Sequence, residues 1–267
     1  MSRCKFTIIT VCYNAEKYIE DTINSVLSQT YGCFEYIIKD GRSDDGTMDI
    51  VHRLTDGDNR VMIIQGKDHG IYDAMNTAVL QASGEYILFL NAGDILHQDS
   101  SLEEIAGMIN SKNADVYYGN ICQVTYKDNV AECFERVYSQ NSIKKVQFAI
   151  GRCICHQAIF ARKELFLDKK FDTRFKVCAD REWQLYHLSR GHKFLYLPIV
   201  VSDVLVDGYS MRHVDELEKE VLICVQKYCK QYLWIYNSIM FFKKSVFLKK
   251  ILQRLDSLSA TRKKEVL

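Results

Sequence analysis

Through the first third of the chain, short apolar runs alternate with stretches whose apolar residues recur at helical spacing, which predicts βαβ units around a largely parallel sheet. Phe6 to Val11 reads as a buried strand, Glu16 to Ser28 as a helix with Tyr18, Ile19, Ile23, Val26 and Leu27 at helical spacing, and Phe34 to Ile38 as the second strand. A turn from Asp40 to Gly46 leads into a helix near Thr47 to Leu54. Val61 to Ile64 is a third strand, Ile71 to Gln81 a third helix, and Tyr86 to Leu90 a fourth strand entered through Ser83-Gly84. Right-handed crossovers place the four strand C-termini along one edge, where open α/β sheets bind ligands.

After Asn91 the rhythm changes. Ser100 to Asn110 is expected to be helical, while Asp115 to Val124 and Val130 to Val137 form a hairpin around Lys127-Asp128-Asn129. Cys153 to Ala161 reads as a further strand, Asp180 to Ser189 as a helix, and Phe194 to Leu205 as strand-rich around Pro198, the one proline. From about Asp215 the pattern is helical to the end. The expected organisation is a body over 1–214 that divides where the rhythm changes, into 1–95 and 96–214, followed by a helical basic amphipathic segment (215–267).

Charge sharpens that division. The 267 residues carry 35 Lys+Arg and 34 Asp+Glu, a net +1, which argues against a uniformly basic nucleic-acid binder. From Lys227 to Lys264 there are ten Lys/Arg and one acid, Asp256, so this stretch holds +9 and the remainder −8. Its apolar residues, from Trp234 through Leu255, interleave with lysines and are interrupted at Lys243-Lys244, too short a run to span a bilayer. Such a segment suits an anionic membrane surface; the alternative is that its apolar face covers the body of the chain or a second subunit in a homo-oligomer.

The ten cysteines are scattered without a CxxC pair, and a reduced cytoplasmic protein, peripheral on the membrane at most, is the simpler reading. Cys153, Cys155 and His156 could ligate a metal, but Cys-Ile-Cys alternating on a strand is more often core filling. The chain lacks GxGxxG, GxxxxGK[ST] and GxSxG, which removes the usual routes to hydride transfer, NTP hydrolysis and serine hydrolysis.

Each of the first four strands ends in polar residues: Thr10-Val11-Cys12-Tyr13-Asn14, Lys39-Asp40-Gly41, Gly66-Lys67-Asp68-His69-Gly70 and Asn91-Ala92-Gly93-Asp94. Four such loops in register on one edge make a candidate site. The ordered set Ile8 to Asn14, Ser25 to Tyr31, Ile37 to Thr47, Asp68 to Asn76, Ala82 to Tyr86 and Phe89 to Asp94 resembles family 2 glycosyltransferases, closely through about residue 95 and more loosely to about 210.

The resemblance implies an α/β GT-A fold, a mixed mostly parallel sheet flanked by helices, and transfer of a sugar from a nucleotide-diphosphate donor to a glycan or lipid-linked acceptor with inversion. Base and ribose are then expected over the ends of the first two strands, near Thr10, Val11 and Tyr13, with Asp40 accepting a base N–H; Asp40 also reads as a turn residue. Gly70 opens a helix beside the diphosphate, Lys67 is a candidate cation there, and Asp73, Asn76 and Asn91 are candidate donor contacts. Asp94 matches the last carboxylate of the DxD-type motif, which implies Mn2+ or Mg2+, although Gly93 stands where many relatives have a second acid and Met75 where many have arginine; Asp94 also reads as a helix cap. Asp180, in Ala179-Asp180-Arg181-Glu182-Trp183, matches the general base, with a helix N-cap as its other reading. His156, Gln157 and Glu182 are candidate acceptor-side residues, and Asp207-Gly208-Tyr209-Ser210 resembles a late active-site loop. A nucleotidyltransferase, or an inactive nucleotide-sugar or membrane-binding module, are the alternatives.

Overall fold

Strand β1 (Phe6–Cys12) is buried at every position, Thr7 and Thr10 included, as its largely apolar run suits a strand covered on both faces. The computed structural model describes residues 5–111, 113–127, 130–136, 143–205, 212–242 and 245. β1 pairs in parallel with β2 (Phe34–Asp40) on one side and β4 (Tyr86–Phe89) on the other, and β2 pairs in parallel with β3 (Val61–Gln65). Helices α1 (Ile19–Leu27), α2 (Thr47–Thr55) and α3 (Ile71–Val79) make the crossovers, and α1 turns Ile19, Ile23 and Val26 into the core.

Entry to β4 depends on Gly84, where a Cβ would lie 2.6 Å from the backbone of Phe6 and Thr7. No other residue fits so close to β1.

The second half extends the same nine-stranded sheet, in the order β3-β2-β1-β4-β8-β6-β9-β5, with β7 on β6. It comprises β5 (Ile95–Leu96), α4 (Ser101–Asn110), β6 (Val116–Lys127), β7 (Val130–Arg136), α5 (Lys145–Ala149), β8 (Ile159–Arg162), α6 (Lys163–Asp168), α7 (Ala179–Ser189), β9 (Phe194–Leu205) and α8 (Val214–Tyr228). Here the pairing is mixed: β8 is antiparallel to β4 and β6, β5 to β9 and β7 to β6, whereas β6 and β9 run parallel. The expected hairpin forms, closing at Lys127 and Val130.

One expected strand is shorter than its apolar run. Cys153–Cys155 is a loop, His156–Ala158 a single 3-10 turn, and only Ile159–Arg162 joins the sheet. Cys153 and Cys155 therefore do not alternate on a strand, and Arg181 donates to Cys153 Sγ at 3.3 Å. Among the described residues no cluster of three His, Cys, Asp or Glu is placed to hold a metal. Cys122 is disulfide-bonded, unlike an all-reduced set, while Cys12, Cys33, Cys153, Cys155, Cys178, Cys224 and Cys229 are free.

Helix α8 buries Val221, Cys224 and Val225 in the same core as the sheet. Residues 233–242 are helical and expose Trp234, Phe241 and Phe242. No helix among the described residues is long and apolar enough to cross a membrane. The basic run beyond 245 and the Asp207 to Ser210 motif lie outside the described residues.

Candidate active site

The parallel register of β1 to β4 brings their C-terminal loops to one edge, and hydrogen bonds join them. Gly41 N donates to the Cys12 carbonyl at 2.9 Å and Gly66 N to the Asp40 carbonyl at 3.0 Å. Asn14 Nδ2 donates to Asp44 Oδ1 and Asp44 N to Asn14 Oδ1, Asn14 N donates to Ser43 Oγ, and Ala15 N donates to Thr47 Oγ1. Asn14 (φ 50°) and Arg42 (φ 66°) hold left-handed backbone in these loops, the only described non-glycine residues with positive φ. Such strain persists where the surroundings fix it.

Asp40 is buried, and its carboxylate accepts from Arg42 N at 2.9 Å, from Ser43 N at 3.1 Å and from the Ser43 hydroxyl. In this arrangement it organises its own turn, one of the two roles its sequence position allows. Tyr13 is 64% exposed and its ring lies against Gly41, leaving an aromatic face at the mouth of the two loops. Val11 is buried backbone of β1, and Thr10 gives its hydroxyl to the Leu90 carbonyl and pairs with the Tyr36 hydroxyl, so its side chain serves the sheet.

Lys67 is exposed on its loop. Lys39, a polar strand end to which the sequence assigns no role, is the buried cation here: its ammonium donates to the Asp40 and Gly66 carbonyls and pairs with Asp68. Its place at the end of the apolar run of β2 was the available signal, since a lysine among buried positions needs a partner. Gly70 adopts φ 111° before α3, and Asp73 accepts from His69 N at 2.8 Å, closing that loop. Met75 is fully buried in the core, so it does not stand in for a cation at the site. Asn76 donates to the Phe171 carbonyl and accepts from Phe171 N, both at 2.9 Å, a latch that takes one of its two amide hydrogens and one of its two oxygen lone pairs.

The other side of the site is built from β8 and α7. Antiparallel pairing of β8 with β4 sets the 3-10 turn beside the end of β4. Its successive residues reach two carboxylates: His156 Nδ1 lies 3.3 Å from Asp180 Oδ2, and Gln157 donates to Asp94 Oδ2 at 3.0 Å. Asn91 Nδ2 is 2.9 Å from His156 Nε2. With the amide donating, Nε2 accepts and the ring proton sits on Nδ1, facing Asp180. Asn91 Oδ1 is buried without a partner among the described residues.

Asp180 stands in the first turn of α7 with its side chain 15% exposed, so a substrate can reach it. Burial pushes its carboxyl up, but the hydrogen bond from His156, the Arg181 N–H and the Arg181 charge together hold it below the ordinary value. It is therefore ionised at neutral pH. The Tyr72 hydroxyl is 3.3 Å from Asp180 Oδ1, and burial and the Asp180 charge push that phenol well up. Phe89, Phe166, Phe171, Trp183 and Gln184 wall a small cavity behind the pair, about 10 Å³, on the scale of one water.

Asp94 is buried at 7% exposure. Burial raises its carboxyl to about 6, with Gln157 and His156 opposing the rise. Gly93 beside it has φ 101°, a conformation L side chains rarely adopt, with Leu205 3.2 Å from where a Cβ would be. A second acid there would be strained. Asp94 thus fits the sparse mode of metal binding, one carboxylate with the remaining ligands from phosphate oxygens and water, and a cation would relieve its buried charge.

Glu182 lies elsewhere. Its side chain is fully buried and bound by Lys227 at 2.8 Å, Lys169 at 3.2 Å and the Tyr228 hydroxyl, so the structure does not bring it to the Asp180 cavity. Two residues along a helix from Asp180, it projects from another face.

The model of the family "Glycosyl transferase family 2" matches residues 7–166. A PGL/p-HBAD biosynthesis glycosyltransferase from Mycobacterium bovis is 31% identical over 206 residues, covering 76% of this chain and 77% of its own. The fold of S. aureus TarS 1–349 in complex with UDP-GlcNAc superposes with a TM-score of 0.69 at 19% identity, over 89% of this chain and 72% of that one. Mannosyltransferase PcManGT from Pyrobaculum calidifontis, in complex with GDP-Man and Mn2+, does so with 0.64 at 16%, over 86% and 65%. The chain belongs to glycosyl transferase family 2 and is a glycosyltransferase of GT-A fold.

Proposed function

We propose that this enzyme inverts configuration as it moves a sugar from a nucleotide-diphosphate donor to a hydroxyl of a glycan or lipid-linked acceptor, with Asp180 as the general base. The observation that carries the reading is the pairing of an ionised, substrate-accessible Asp180 with His156, across the site from the loops of β1 to β4. Asp180 takes the proton of the acceptor hydroxyl as its oxygen bonds to the anomeric carbon. The bond from that carbon to the donor phosphate breaks on the opposite face, and the nucleoside diphosphate leaves.

On the donor side, Tyr13 offers a face for the base, and Asp40 holds the turn against which the base would lie. Gly70 and the start of α3, with Asp73 closing the loop and Lys67 at its rim, line the path of the diphosphate. Asn91 would supply its unpartnered oxygen to the donor. Asp94 would hold Mn2+ or Mg2+, which when bound offsets negative charge on the leaving diphosphate. Gln157 orients Asp94, and His156 orients Asp180.

Replacing Asp180→Asn removes the proton acceptor while keeping the shape. Turnover should fall by about 10²–10⁴-fold, and thermal-shift titration with UDP, GDP or dTDP should show nucleotide binding retained. Undiminished turnover would exclude Asp180 as the base. Stabilisation by none of the nucleotides, with or without Mn2+, would count against a nucleotide-diphosphate donor.

A further inference from the structure

The position of Asp180 depends on the peptide that precedes it. Residues 176–178 enter α7 with three backbone N–H groups that need acceptors, and Cys178 at the helix N-cap supplies no side-chain cap. One carboxylate from outside takes all three. Glu220 of α8, buried at 5% exposure, accepts from Lys176 N through Oε1, and from Val177 N at 3.0 Å and Cys178 N at 2.9 Å through Oε2. An ionised carboxylate is suited to three converging donors, because its two oxygens offer about four lone-pair sites and no hydrogen.

The same peptide is held from the other side. Tyr72 of α3 donates to the Val177 carbonyl at 2.9 Å while its hydroxyl also faces Asp180. The segment from 176 to 178 is thus fixed by its N–H groups to α8 and by a carbonyl to α3, two residues before the base. Farther along, Lys227 and Tyr228 of α8 bind Glu182 of α7, so the two helices are joined at both ends of this stretch.

We infer that Glu220 is a positioning residue for the transfer reaction, with α8 completing the active site by gripping the strand of backbone that carries Asp180. The inference rests on the reading of Asp180 as the base. It makes the first helix of the C-terminal segment a working part of catalysis.

The test is Glu220→Gln in the full chain, assayed with whichever nucleotide sugar supports wild-type turnover, alongside Asp180→Asn and the double variant. Gln keeps the volume but replaces one acceptor oxygen by an NH2 group, leaving at least one N–H unpaired. The expected result is a kcat lower by about 10- to 100-fold, the scale of a small misplacement of a reacting group, with the donor KM and UDP-induced thermal shift within about twofold of wild type. In the Asp180→Asn background the same change should leave the residual rate unaltered, because there is no longer a base to place. Glu220→Asp, which keeps the charge on a shorter stem, should fall between wild type and Glu220→Gln, and it stands in should the Gln variant not fold.

An unchanged kcat in Glu220→Gln, or in Glu220→Asp where only that variant folds, would overturn the inference while leaving the base assignment standing. So would a parallel loss of kcat and nucleotide binding, which would mark Glu220 as part of general stability. Full activity in Asp180→Asn would remove the base assignment, and the inference with it.

Discussion

The two sides of the site are built by different means. On the donor side, the loops after β1, β2 and β3 are joined by backbone groups bonding to one another or to short polar side chains of the neighbouring loop, and Asp40, Asp73 and Asn14 serve their own or adjoining turns. On the acceptor side, the working groups are side chains paired over long sequence distances: His156 with Asp180, Asn91 with His156, Gln157 with Asp94. The first side is a surface shaped by chain geometry, tolerant of what its exposed side chains are. The second depends on the identity of each member.

The largest effect that can test this contrast is on the acceptor side. His156→Gln removes the main group holding Asp180 below its ordinary value. Turnover should fall about tenfold or more, on the scale of losing orientation of a general base. The sign of the pH effect follows: Asp180 is active when ionised, so activity is lost as pH falls through its value, and removing His156 should move that acid limb of the kcat profile to higher pH. A limb that stays in place or moves down would show that the pair does not control Asp180.

An intermediate effect is expected at Asp94, which touches both sides. Its carboxyl is raised by burial to about 6, so without a cation the native state loses stability as pH rises from about 4 to 6 and gains none above. Asp94→Asn should therefore raise the melting temperature at pH 7.5 by about 2–6 °C in chelator, and it should abolish any stabilisation by Mn2+ with UDP. Retained Mn2+ stabilisation in the variant would place the cation elsewhere.

The smallest effect belongs to the donor side. Arg42 is exposed and left-handed, a conformation asparagine adopts readily. Arg42→Asn should leave stability within about 0.5 kcal/mol and nucleotide binding unchanged by thermal shift. A marked loss of nucleotide affinity would mean that this side also reads its ligand through particular side chains.

The contrast explains what could be read from the sequence. Apolar runs and turn residues are local signals, so β1 to β4, their crossovers and the four polar loops were legible, and the ordered motifs pointed to the family. The hairpin of β6 and β7 was legible for the same reason. The loop at Cys153–Cys155 was not, because a short apolar run does not say whether it joins the sheet or only covers it. Asn76, Thr10 and Glu182 were recognisable as polar residues near motifs, but their partners, Phe171, Tyr36 and Lys227, are distant in the chain. Glu220 lay in no motif, Lys39 stood in one without a role of its own, and only the packing of β3 and α7 against them shows what they hold.

The latch between Asn76 and Phe171 bears on how such enzymes could be recombined. A chimera joined near residue 95 would draw α3 from one parent and the 169–178 stretch from the other. Both hydrogen bonds of the latch use the Phe171 backbone, so the second parent could contribute any residue there provided the chain takes the same path. The first parent must contribute an amide, since a carboxylate has no hydrogen to donate. The exchangeable unit is thus defined by one side chain on α3, and a parent lacking asparagine at that position would be expected to bring its own 169–178 stretch with it.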